Sequence, residues 1–140
     1  MSAARYFLDT NVVVYANDRS SPAKQARALE LMTDAFRTRN GCVSVQVMQE
    51  FFAVATRKEK LAPAIARAQV ASLEGLGVVE TTPELILSAI DLHLIHGVSF
   101  WDALIVKAAA AGGCRKLYSE DLQGDRVLDG VRIVNPFAGL

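Results

Sequence analysis

The chain has 140 residues, 15 Lys and Arg against 15 Asp and Glu, and 51% hydrophobic residues, a length that suits one domain burying roughly 68% of its unfolded surface without disulfides or metals. Charged residues at 21% exclude a disordered chain, and zero net charge argues against a general nucleic-acid binder held by a basic coat. The longest uncharged stretches, Asn40–Gln49 and Leu92–Trp101, are ten residues each, short of the about 18 that a membrane span needs.

Tyr6-Phe7-Leu8, ending at Asp9, reads as a buried strand of a parallel sheet, and three apolar residues are too few for a secretory leader. Ser21-Pro22 sets a cap before a helix-starting proline and predicts a helix to about Arg39. After the Asn40-Gly41 break, Cys42-Val43-Ser44 is the second strand, and the helix that follows carries Glu50. Pro63 opens a helix to about Leu73, and Val78-Val79-Glu80-Thr81 is the third strand. Thr82-Pro83 starts a helix over 83–96 that stops at Gly97. Ser99-Phe100-Trp101-Asp102 has the form of a capping box ahead of Ala103–Ala111. Lys116-Leu117-Tyr118-Ser119 and Val131-Arg132-Ile133-Val134 complete the strands. Strand and helix alternate without a linker or repeat, which predicts a single α/β domain over 1–140 with a short-stranded, mainly parallel central sheet. Cys42 and Cys114 form no CxxC pair and are read as semi-buried thiols of a protein in the reducing cytoplasm.

In open parallel sheets the ligand site lies beyond the carboxyl ends of the strands. Asp9 ends the first strand, Asp121 follows the fourth, and Asp102 sits in the first turn of a helix opening toward that edge. At about 100° per residue, Glu50 borders the apolar sector of Val47, Phe51 and Val54 and so can look into a cleft. Each acid alone has a plain structural reading. Asp9 can cap a short helix from Thr10, Asp102 can partner Ser99, Glu50 can be a solvated helix charge and Asp121 a turn residue. Together at one edge they repel, and protonation or a bound cation must relieve that. All-oxygen donors favour Mg²⁺ or Mn²⁺, and the chemistry implied is phosphodiester hydrolysis.

Phe7-Leu8-Asp9-Thr10-Asn11 resembles the opening motif of PIN domains. Ser44-Val45-Gln46-Val47-Met48-Gln49-Glu50-Phe51 looks like their second motif, Gly97-Val98-Ser99-Phe100-Trp101-Asp102-Ala103-Leu104-Ile105 their third, and Leu117-Tyr118-Ser119-Glu120-Asp121-Leu122 their fourth. Four motifs in order make a strong signal. In length and lack of appended domains the chain is most similar to the VapC-type toxins of bacterial and archaeal toxin–antitoxin modules. The resemblance implies a PIN-like three-layer sandwich and a Mg²⁺- or Mn²⁺-dependent endoribonuclease. It also implies inhibition by a small VapB-like antitoxin, with a homodimer expected. Asp9, Glu50, Asp102 and Asp121 would be its acidic site, with Asn11 and Ser119 orienting the carboxylates or a metal-bound water. Asp9 and Asp102 would be direct ligands of one or two ions, and Glu50 and Asp121 direct or through water. Whether Glu120 or Asp125 assists is open.

Arg57, Lys58 and Lys60 are either a solvated helix end or phosphate contacts for RNA, with Arg67 further on. Trp101 is expected to pack at its helix start rather than stack on a base, and His93 to be a packed, hydrogen-bonded histidine rather than a ligand. Phe51-Phe52 and the face Ala28, Leu31, Met32 and Ala35 are core, or a dimer or antitoxin surface. Two other functions compete with the nuclease. A phosphoryl-accepting receiver domain needs an Asp after its third strand, where this chain has Glu80-Thr81-Thr82. A PIN-like fold kept only to bind RNA or a partner is the other. Without the four site acids, 15 basic residues face 15 − 4 = 11 acidic ones, so the rest of the chain carries a +4 bias.

Overall fold

Phe7 and Leu8 are neighbours in a strand, face opposite ways and are both fully buried. A strand buried on both faces needs a layer on each side. The computed structural model, which describes residues 4–140, has that arrangement. In chain order the elements are β1 (Arg5–Leu8), α1 (Thr10–Tyr15), α2 (Pro22–Thr38), β2 (Gly41–Ser44), α3 (Val45–Arg57) and α4 (Pro63–Ser72). A 3₁₀ turn (Leu73–Gly75) follows, then β3 (Gly77–Val79), α5 (Pro83–His96), α6 (Phe100–Ala111), β4 (Cys114–Tyr118), β5 (Val127–Leu128) and β6 (Val131–Val134).

The sheet order is β3-β2-β1-β4-β6-β5, parallel throughout except for the β5–β6 pair. Right-handed crossovers from β1 to β2 to β3 put α1–α4 on one face; the return from β3 to β4 puts α5 and α6 on the other. The contacts agree, with α1 against α2 and α3, α3 against α4, and α5 against α6. The direction of travel therefore reverses at β1, and the crevice between β1 and β4 is the switch point where such sheets bind ligands.

Local chemistry sets the ends of these elements. Ser44, Thr82 and Ser99 each accept a hydrogen bond from the backbone N–H three residues on, capping α3, α5 and α6. Gly97 ends α5 at a φ of 70°. Gly41 lies against α2 so closely that a Cβ there would stand 2.4 Å from the Ala35 Cβ.

Several boundaries differ from the sequence reading. β3 stops at Val79, leaving Glu80-Thr81 outside it, and β4 stops at Tyr118, leaving Ser119 just past its end. α6 begins at Phe100, three residues before Ala103, because Ser99 is its cap. α1 is the short helix that an Asp9 cap implies, although its Val12-Val13-Val14 run favours strand. The two-residue β5 carries no readable periodicity. Ala28, Leu31, Ala35 and Phe51 are core, while Phe52 is exposed. Cys42 and Cys114 are free and buried. The neighbouring Cys114 thiol and then the Arg5 guanidinium, whose Nη2 is 2.7 Å from the Cys42 sulfur, hold the Cys42 thiol below its usual range against its burial. No single helix among the described residues is long and apolar enough to cross a membrane.

Candidate functional site

Leu8 is level with Tyr118 in the β1–β4 pair, so Asp9 and Ser119 leave their strands side by side. The register continues one step beyond the strands, with Asp9 N–H donating to the Tyr118 carbonyl at 3.0 Å. The Ser119 hydroxyl donates to Asp9 Oδ2 at 2.7 Å, and Thr10 N–H donates to Asp9 Oδ1 at 2.7 Å. Asp9 is thus both the cap of α1 and a carboxylate fixed at the switch point.

Asp9 is 5% exposed and Ser119 wholly buried. Burial pushes the Asp9 carboxyl up to about 7, with the charges of Asp121 and Glu50 adding to the rise, against the two hydrogen bonds that favour its ionised form. Glu50, on α3, is held from α1 by Thr10 Oγ1, which donates to Glu50 Oε1 at 2.9 Å. Asn11 Nδ2 reaches Asp121 Oδ2 at 3.1 Å and Ser119 Oγ at 3.4 Å, while its Oδ1 accepts Glu120 N–H at 3.2 Å. Asp121 N–H in turn donates to Ser119 Oγ at 3.2 Å. The Asp102 carboxylate has no protein hydrogen-bond partner among the described residues, so its cap role is filled by its backbone N–H alone.

All four acids line one cleft of about 620 Å³, walled by α1, α3, the start of α6 and the segment after β4. Asp18, Glu59 and Glu120 add negative charge at its margins, and Arg57 and Lys58 are its basic groups. Glu120 does not point freely into it. Its Oε1 accepts the Tyr15 hydroxyl at 2.7 Å and its Oε2 the Lys24 ammonium at 2.6 Å. Burial alone would raise this carboxyl, but those two partners hold it below the usual range. Asp125 lies outside the cleft, exposed, 3.6 Å from Arg132.

Among the described residues, no three acidic, His or Cys side chains are arranged to grip one ion as they stand. The donor set nevertheless suits a hard cation. It is all oxygen, it gathers repelling carboxylates around a buried Asp9, and Mg²⁺ needs only one or two carboxylates beside water and phosphate.

Lys60 stands off the cleft, and two expectations are corrected, for Trp101 wholly and for His93 in part. Lys60 does not line the cleft; the chain breaks from α3 after Lys58 and Lys60 takes a φ of 52°. Trp101 is 62% exposed and forms part of the cleft wall, since no element covers that side of the first turn of α6. His93 is hydrogen-bonded as expected, its Nδ1 2.6 Å from the Val98 carbonyl oxygen beyond the helix end, but it is exposed rather than packed, because the face it shares with Ile90 is left uncovered. Thr10 is the residue that sequence reasoning passed over. Its position between two site residues was visible, but its bond to Glu50, 40 positions away, was not.

A family model of the PIN domain matches residues 6–128. No curated protein matches the chain. Three solved structures share its fold. Mycobacterium tuberculosis VapC20, described as a sarcin–ricin loop cleaving toxin, superposes with a TM-score of 0.68 at 21% identity, covering 83% of this chain and 89% of that one. A Klebsiella pneumoniae toxin–antitoxin complex gives 0.68 at 13% identity, over 94% and 98%. DNA-bound VapBC from Salmonella typhimurium gives 0.67 at 18%, over 94% and 97%.

Proposed function

The chain belongs to the PIN domain family, and on that premise we propose that it is a Mg²⁺- or Mn²⁺-dependent endoribonuclease, the toxin of a type II toxin–antitoxin pair. The observation that carries this reading is the meeting of Asp9, Glu50, Asp102 and Asp121 in one cleft at the sheet's switch point. A phosphodiester would be repelled from so negative a cleft unless a cation came with it. Asp9 and Asp102 would hold one or two ions directly, and Glu50 and Asp121 directly or through water. When bound, such an ion supplies a hard charge that neutralises phosphoryl oxygens and makes water a better nucleophile. Ser119, Thr10 and Asn11 fix the carboxylates in place, so that little reorganisation accompanies binding. Burial keeps a proton on the Asp9 carboxyl up to about pH 7, and Asp9 would have to release it before it could serve as a ligand.

The toxin role rests on the likeness to VapC20 and to the two toxin–antitoxin assemblies. A small VapB-like antitoxin would be the partner, a homodimer the assembly and the cytoplasm the location, with residues 1–140 acting as one domain.

Protein freed of any partner and incubated with mixed RNA and Mg²⁺ or Mn²⁺ should cut it, and EDTA, Asp9→Asn or Asp102→Asn should each abolish cutting. Equal activity in the variants, or none in the native protein with either metal, sinks the enzyme. An adjacent reading frame encoding a short DNA-binding protein would support the toxin role.

A further inference from the structure

We propose that the Trp101 indole is a base-stacking platform that selects a purine beside the cut phosphate, with Arg57 and Lys58 holding the strand's backbone on the other side of the acids. This rests on the nuclease reading of the same cleft. Trp101 is the chain's one tryptophan, and it stands 62% exposed in the cleft wall, one residue before Asp102. Indole rings carry a large apolar surface, and leaving one in water forfeits that burial unless something comes to cover it.

The ring is not loosely placed. Phe100 meets it edge to face with centroids 5.1 Å apart. The Trp101 backbone carbonyl accepts a hydrogen bond at 3.3 Å from the side chain of Gln46, itself buried. A platform fixed in this way loses little freedom when a base lands on it.

Gln46 also gives the platform its direction. It lies in the first turn of α3, Glu50 follows one turn later, and Arg57 and Lys58 end the helix. At 1.5 Å per residue, Gln46 and Arg57 are roughly 16 Å apart along the axis. The aromatic group and the cations therefore stand at opposite ends of the cleft face of α3, with Glu50 between them. Neither Arg57 nor Lys58 is in a salt bridge among the described residues. Phosphate contacts of this kind position a strand without reading it, whereas stacking favours the base with the larger π face. A duplex keeps its bases stacked on each other, so the platform is useful only to an unpaired one.

The single tryptophan makes the test direct. Asp9→Asn protein, which should bind without cutting, would be titrated with short single-stranded oligoribonucleotides carrying A, G, C or U at one central position. Purines should quench the indole emission more than pyrimidines and bind more tightly. Trp101→Ala in the Asp9→Asn background should weaken binding about ten-fold or more and level the four affinities, while Trp101→Phe should keep most of the preference. Arg57→Ala with Lys58→Ala should weaken all four sequences alike and flatten the salt dependence. Absence of quenching, unchanged affinity and preference in Trp101→Ala, or a changed oligomeric state with RNA binding intact overturns the platform. Metal-dependent cutting indifferent to Trp101 leaves the nuclease standing without it. Base-selective quenching by a protein that never cuts leaves the platform and removes the nuclease.

Discussion

The Ser119 hydroxyl donates to Asp9 Oδ2 across 2.7 Å, joining two residues 110 positions apart in sequence at the carboxyl ends of adjacent parallel strands. The same oxygen accepts from Asp121 N–H and lies 3.4 Å from Asn11 Nδ2. One buried hydroxyl thus ties the first acid of the cleft to the turn that presents the last. Ser119→Ala leaves Asp9 with Thr10 N–H alone and strands the Asp121 amide. Urea unfolding should show a loss of about 1–3 kcal/mol, and RNA cleavage should fall with it. A variant as stable as the native protein would show that the bond is incidental.

Asp9 gives a pH signature. Its carboxyl sits at about 7 in the folded protein against an ordinary 3.8. Between those values the folded state holds a proton that the unfolded chain has released, so the metal-free protein loses stability as pH rises through that window. The melting temperature in EDTA should be higher at pH 5 than at pH 8, by an amount that Asp9→Asn removes. Mg²⁺ or Mn²⁺ should restore stability more at pH 8 than at pH 5. Identical pH profiles for native and Asp9→Asn proteins would refute this.

Thr10 holds Glu50 from across the cleft. Thr10→Val keeps the shape and deletes the donor, and groups that orient ligating carboxylates are typically worth 10–100-fold in activity or metal affinity. Cleavage should drop by about that factor with little change in melting temperature, and Thr10→Ser should recover most of it. Equal activity in Thr10→Val would remove the residue from the site.

At Gly41 there is no room for a methyl group, since its Cβ would stand 2.4 Å from the Ala35 Cβ. Gly41→Ala should destabilise by about 1–3 kcal/mol through overpacking. The double variant with Ala35→Gly should regain part of the loss in a chemical-denaturation cycle. Strictly additive losses would show that the two positions are not in contact.

What the sequence conveyed well was whatever repeats or is punctuated. Ser21-Pro22, Thr82-Pro83 and Gly97 mark helix ends because proline and glycine act on the backbone locally. Asp9 and Asp121 were legible because they follow the ends of parallel strands, Asp102 because it lies in the first turn of a capped helix, and Glu50 because it borders the apolar face of α3. α1 was obscured by three consecutive valines, which local propensity assigns to strand and tertiary packing turns into helix. Thr10–Glu50 and Tyr15–Glu120 were invisible because each joins side chains whose distance depends on the whole sheet. Trp101 was misjudged for a related reason. Its identity argues for burial, and whether another element covers the first turn of α6 is decided by the whole fold, which leaves the ring 62% exposed.

The strand order β3-β2-β1-β4-β6-β5 puts the first strand made between one made soon after and one made near the end. A growing chain that has reached Gly113 already carries Asp9, Glu50 and Asp102, yet has neither Ser119 nor Asp121 and no β4 to seal the far side of β1. The order of synthesis therefore sets when the cleft can exist. Its walls come together only once the segment through Asp121 has been made and β4 has paired with β1, so the cleft is among the last features of the fold to form.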